Sequence, residues 1–407
     1  MLRKISFLFL SLALILTSVT TYYIWRSNLP LVSPIALIDS LIGNSPAIKS
    51  DKVVYGFFPY WNLKYSEKLN ISSLTHFAYF AIDLNADGTI NKKINSVETE
   101  PGWNKLKSKD TSKLLYQAKL LGQKTVITVT AMEPEIIEGI LNSPENKERT
   151  ISSIMSVYKD YDFDDINIDF EYVTVGNQIL RDSLVDFISN LRSACISYKS
   201  HCQIDIDIFA SAGEKPRIWD LKKLEPFVDK FIVMAYDYHR KSSSQAGPVA
   251  PLKGKCPTPY SYSEKNKCIE EDIITHLSLL SKQIPSNKII LGVPFYGYEW
   301  QTATKEYLSN TYSGTGALAT YQRIQTLFQD SKISSLSAEW SSSTLSPYLI
   351  FQKDDKIFQI HFENAQSLEQ KIKLVESANL GGVAIWALGY EGDSQDLWTP
   401  INSLFRH

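Results

Sequence analysis

The 407-residue chain has no excess of positive charge: 42 Lys and Arg stand against 44 Asp and Glu, a formal net charge of −2. No basic run exists to neutralise phosphates, which excludes electrostatic binding of nucleic acid. No G-x-G-x-x-G opens a helix after the first β-rich run, so a doubly wound dinucleotide fold lacks its phosphate loop. Internal repeats and low-complexity tracts are absent. Cysteine is scarce, with four residues and no C-x-x-C pair. Cys195 lies close to Cys202, and Cys256 to Cys268, so two local disulfides in an oxidising compartment are expected ahead of a zinc site.

Long apolar runs are also lacking, with one exception. Arg3 and Lys4 precede the uncharged stretch Ile5 to Trp25, which as a helix reaches about 31 Å, the thickness of a bilayer core. The leading cations predict an N-inside orientation, with the rest of the chain outside the cytoplasm. Tyr22, Tyr23 and Trp25 resemble an interfacial belt and no small-x-small cleavage site follows, so residues 1–26 are read as a signal-anchor ahead of a cleaved signal peptide. Cleavage would make the protein secreted. Pro30, Pro34 and Pro46 mark residues 27–51 as a stalk, and the globular part occupies 52–407.

What is present in the globular part is rhythm. Short β-rich runs recur at Val53–Phe58, Thr75–Ile82, Thr125–Thr130, Asp165–Glu171, Gln203–Phe209, Phe231–Tyr238, Lys288–Phe295 and Gly382–Ala387. Helical patterns such as Ser108–Leu121, Pro134–Tyr158 and Leu180–Tyr198 lie between them. Eight strands alternating with helices predict an α/β fold, a (β/α)8 TIM barrel. The long interval between the seventh and eighth runs predicts a small α+β insertion at about 302–365, with a hairpin of Pro347–Gln352 and Ile357–Phe362. Such an insertion would wall the C-terminal mouth of the barrel, where active sites sit.

The fourth run, in the stretch YDFDDINIDFE from Tyr161 to Glu171, departs from an ordinary core strand. Alternation puts Asp165, Asn167, Asp169 and Glu171 on one face and mostly apolar side chains on the other. A row of carboxylates at a strand end is costly to bury and points to chemistry. Calcium is the competing reading, but its loops need Gly turns and wrapped oxygen ligands. Asp169 raises the pKa of Glu171 by repulsion, as a proton donor to a leaving group requires. No second carboxylate in this stretch serves unambiguously as a nucleophile.

These residues resemble the strand-four signature of family 18 glycoside hydrolases, the chitinase-like enzymes, whose pattern is DGxDxDxE. Asp164, Asp169 and Glu171 stand in its places. Met234–Asp237 (MAYD), Gly292–Gly297 (GVPFYG) and Gly381–Trp386 (GGVAIW) resemble the later strands of that family in the right order, and YGFFPYW and LTHFAYFAI match its first two more loosely. The resemblance implies a substrate-assisted mechanism on N-acetylglucosamine glycans, chitin or peptidoglycan, with neither metal nor organic cofactor. Glu171 would be acid and base, Asp169 would orient the 2-acetamido group, and Tyr236 would hydrogen-bond its oxygen. Trp386 would floor the sugar subsite, lined by Asp237, Met234, Asn167 and Tyr296.

Three positions leave the family pattern. Asn167 replaces the middle Asp, Asp165 replaces a Gly, and strand three reads VITVTAM in place of S-x-G-G, with Thr128 or Thr130 as partial substitutes. These changes, and the segment AGPVAPL (Ala246–Leu252), resemble a divergent bacterial branch of cell-wall and spore hydrolases. A non-catalytic sugar-binding protein on the same barrel is the alternative. Trp61, Tyr79 and Trp300 are candidates for stacking on sugar, with core packing as the competing reading; His76 and His239 are expected to be core or rim histidines.

Overall fold

A computed structural model describes residues 51–95, 97–257 and 268–405. The predicted apolar span, and the stalk apart from Asp51, lie outside these residues. Among the described residues, no helix is long and apolar enough to cross a membrane.

Eight parallel strands close a barrel: β1 (Val53–Pro59), β2 (His76–Asp83), β3 (Lys124–Ala131), β4 (Asp165–Phe170), β5 (Ile204–Phe209), β6 (Lys230–Met234), β7 (Ile289–Pro294) and β13 (Gly382–Trp386). Closure comes from β13 pairing with both β7 and β1, with Val53 opposite Gly382. Every strand is buried on both faces, as parallel strands under helices must be. Outward-facing residues such as Ile127, Ile166, Ile168 and Val233 pack with the helices in the main core, which includes Leu184, Phe187 and Leu191 of the long helix Gln178–Tyr198.

Inside the barrel the filling is divided. One sector is apolar, built from Tyr55, Phe57, Ala78, Phe80, Val126, Ile232, Ile290 and Ala384. The sector under β4 and β5 is polar: Asp165, Asn167, Asp169, Asp205 and Asp207 are all buried there. Period-two alternation in DINIDF and IDIDIF dictates this, since each Ile that faces the helices turns its neighbour inward.

Two differences from the sequence expectation have local causes. The pattern at Pro134–Tyr158 is two helices, Pro134–Leu141 and Pro144–Asp160. Pro144 disfavours helical geometry at Ser143, whose hydroxyl then caps the second helix by accepting from Asn146 N at 3.2 Å. Strand six stops at Met234, short of Tyr238, and Asp237 beyond it sits at φ +62° in the left-handed region.

Between β7 and β13 lies a five-stranded antiparallel sheet in the order β10-β11-β12-β8-β9, formed by β8 (Tyr296–Thr302), β9 (Ala317–Thr320), β10 (Ile333–Ser341), β11 (Ser346–Lys353) and β12 (Lys356–His361). The β11–β12 hairpin turns on Asp354 and Asp355, both at positive φ, the conformation of a tight two-residue turn. Only Phe295 separates β7 from β8.

Candidate active site

Glu171 follows β4 directly, its N–H still donating to Ala131 O of β3 at 3.0 Å. This carries its half-buried side chain to the C-terminal mouth. Burial raises its pKa and Asp237 adds to the rise, while Arg240 opposes it. One inward layer below, Asp169 is 2 % exposed and its Oδ1 has no hydrogen-bond partner. Burial, then Asp207, then Glu171 push that carboxyl well above the ordinary range.

Tyr236 and Asp237 come from the segment leaving β6. Tyr236 is half-buried, and its hydroxyl pKa is raised by burial and then by Asp207, Asp169, Glu171 and Asp237. Its ring has room because β7 carries Gly292, where an added Cβ would meet Val233 O at 2.4 Å and Tyr236 Cε1 at 3.0 Å. Asp237 is held by two phenols of β8: Tyr296 and Tyr298 donate to Oδ1 at 2.5 and 3.0 Å. Met234, Tyr236 and Asp237 line a cleft of about 260 Å³ together with Phe209, Arg217 and Arg240.

Opposite the acids stands an aromatic wall. Trp386, at the end of β13, meets Phe80 edge-on at 4.5 Å between ring centroids, with Phe57 and Trp61 at 6.0 and 6.3 Å. Trp61 is 43 % exposed, and its indole N–H donates to Tyr390 Oη at 3.4 Å. Apolar faces with a few fixed polar atoms suit the alternating faces and hydroxyls of a sugar.

The structure thus brings Glu171, Asp169, Tyr236, Asp237, Tyr296, Met234 and Trp386 to one mouth. Others lie elsewhere. Asn167 is fully buried and donates to Asp207 Oδ1 at 2.9 Å. Asp164 accepts from the N–H and hydroxyl of Thr125, both at 2.9 Å, stapling β4 to β3. Tyr79 is buried with its hydroxyl on Gly102 O, and Trp300 packs against Tyr298 and His361. His76 sits in the barrel floor near Asp165, and His239 binds Pro248 O beside the buried Ala246–Leu252 segment. Of the two threonines of β3, Thr130 is committed to Asp83, whereas Thr128 is level with Asn167 and its buried hydroxyl has no partner. Both expected disulfides are formed, Cys195–Cys202 and Cys256–Cys268.

Sequence reasoning missed Asp205, Asp207, Arg240 and Tyr298. The first two carried the same signal as the acidic strand, an acid alternating with isoleucine one strand later. Among the described residues, one group converges as metal ligands would: Glu214, Glu271 and His276. Lys215 Nζ already supplies positive charge there, 3.0 Å from Glu271 Oε1.

An eight-stranded parallel barrel with acids on β4 and tyrosines beyond β6 defines a class of barrel proteins built around a polar mouth. The model of glycosyl hydrolases family 18 matches residues 53–391, and the chain belongs to that family. The cortical fragment-lytic enzyme of Bacillus subtilis (strain 168) is 23 % identical over 267 residues, 64 % of this chain and 54 % of that protein. The matches span 50 % to 69 % of the lengths of such curated relatives. Among solved structures, a Group IV chitinase of Ostrinia furnacalis in complex with allosamidin shares the fold at TM-score 0.69 and 20 % identity, covering 87 % of this chain and 98 % of its own. A class V chitinase mutant of Nicotiana tobaccum in complex with NAG4 does so at TM-score 0.71 and 16 % identity, over 87 % and 99 %.

Proposed function

We propose that the protein is a glycoside hydrolase that cleaves β-1,4 bonds of N-acetylglucosamine glycans, chitin or peptidoglycan, with retention and by substrate assistance. The observation that carries this reading is the pairing of a raised, half-buried Glu171 with a buried Asp169 whose Oδ1 lacks a donor. An acetamido N–H is a donor of the kind Asp169 lacks. Glu171 then protonates the glycosidic oxygen as the acetamido oxygen attacks the anomeric carbon, and the C1–O bond breaks. Asp169 stabilises the oxazolinium cation so formed, and Tyr236 donates to the acetamido oxygen. Glu171 next takes a proton from water, whose oxygen adds to C1 and reopens the ring, restoring the acid. The ligands named for the solved neighbours, allosamidin and NAG4, agree with such a substrate.

We further place the protein outside the cytoplasm, held at the membrane by its N-terminal apolar run. The two disulfides support an oxidising compartment.

The test compares wild type with Glu171→Gln on chitooligosaccharides and on purified peptidoglycan. Loss of the general acid should lower turnover by about 10²- to 10⁴-fold. Equal product release by the two proteins would remove Glu171 from the mechanism. Sugar binding by the wild type without turnover would identify a lectin-like protein.

A further inference from the structure

The carboxyl that Asn167 does not supply stands one strand away. In the β4–β5 pairing Asn167 is opposite Asp205, so Asp207 is level with Asp169 in the next inward layer. Asn167 Nδ2 donates to Asp207 Oδ1 at 2.9 Å, and both residues are buried. We propose that Asp207 is a positioning residue for the reaction described above: it holds a proton next to Asp169, so that Asp169 meets the acetamido group as a carboxylate. The inference rests on that reading of the site.

Asp169, Asp207 and Glu171 crowd one end of the barrel. From β5 itself, Asp205 lies one layer below, and Tyr55 of β1 and Tyr236 beyond β6 face the group as neutral phenols. The cation of the neighbouring strand, Lys230, is bound to Gln203 and Asp205 at 2.5 and 3.2 Å. Arg240 is exposed at the rim, beside Asp237. Two buried carboxyls with no cation acting on them, beside a half-buried third that has only Arg240 at the rim, cannot all ionise. The proposed chemistry needs one proton on Glu171 and none on Asp169. Asp207 takes the second, its Oδ1 accepting from Asn167 as the carbonyl oxygen of the acid. An amide at 167 cannot hold that proton itself, but it fixes the acid that does. Burial favours the protonated form; the hydrogen bond from Asn167 opposes it, and repulsion from Asp205 and Glu171 adds to the rise. If Asp207 ionises, Asp169 competes with Glu171 for the remaining proton and the acid is lost.

Wild type, Asp207→Asn and the double variant Asn167→Asp/Asp207→Asn should be compared by the pH profile of kcat/KM and by infrared counting of protonated carboxyls near neutral pH. Two coupled protons steepen the wild-type alkaline limb toward about a hundredfold fall per pH unit, and Asp207→Asn should reduce this to about tenfold. The same variant should lose one protonated-carboxyl band, and the double variant should regain both features from strand four. An unchanged limb or an unchanged band count in Asp207→Asn overturns the proposal. Failure of that variant to fold also counts against it, because an amide of like shape replaces a group assigned as neutral. If the wild type turns over no glycan, the reading of the function fails, while the infrared count still decides the proton on Asp207.

Discussion

The barrel carries two layers of acid that differ in what neutralises them. In the lower layer Asp165 and Asp205 share Lys230, 7 % exposed, whose Nζ is 3.2 Å from Asp205. His76 is also there, but burial holds its pKa well below the usual range, with Lys230 and Lys124 adding to that, so Lys230 is the working cation. In the upper layer Glu171 has Arg240 at the rim, and among the described residues no cation acts on Asp169 or Asp207. A layer with a built-in counterion has its burial offset: Lys230 opposes the rise of both Asp205 and Asp165. A layer without one must hold protons. On the function proposed, the same residue type on the same two strands is scaffold below and chemistry above.

Breaking the lower layer should have the largest effect. Lys230→Met strands a buried carboxyl beside Asp165, and a loss of about 3–5 kcal/mol in denaturant unfolding is expected. An equal loss from Arg240→Met would erase the distinction between the layers. The next effect reads the held protons through stability. A carboxyl whose folded pKa is raised contributes stability that is complete below its unfolded value and is lost as pH rises through the folded one. Asp205 rises to about 7, and Asp207, the residue assigned a proton, goes well above the ordinary range, in each case chiefly through burial. The buried histidines act oppositely, but only below their ordinary value of about 6.5. Unfolding free energy should accordingly fall as pH rises through about 7, where Asp205 ionises, and go on falling above it through Asp207; no further fall above Asp205 would mean that Asp207 holds no proton. The smallest effect belongs to Arg240→Met at the rim. Arg240 opposes the rise of Glu171, so its loss should move the alkaline limb of activity to higher pH. A shift to lower pH would deny the contact.

Much of this was legible in the residues because it depends on local period. DINIDF shows its inward acids by alternation, and the barrel follows from eight such runs between helices. IDIDIF carried the same message, and its meaning depended on the register of two strands, which no single run encodes. Asp237 was recognised as part of the lining, but its clamp was not, because Tyr298 reaches it from 61 residues away. The hairpin at Asp354–Asp355 was readable as a turn between apolar runs; the five-strand order around it rests on non-local pairing.

The single residue between β7 and β8 limits how this protein can be remodelled or can diverge. The added sheet enters the fold with no hinge, and its first strand delivers the two phenols that hold Asp237. Far strands such as β10 can be shortened or exchanged, whereas a graft that cuts before Thr302 takes part of the mouth with it. Chimeras joined beyond that point should keep the site intact, and heritable variation in loop length should accumulate there as well.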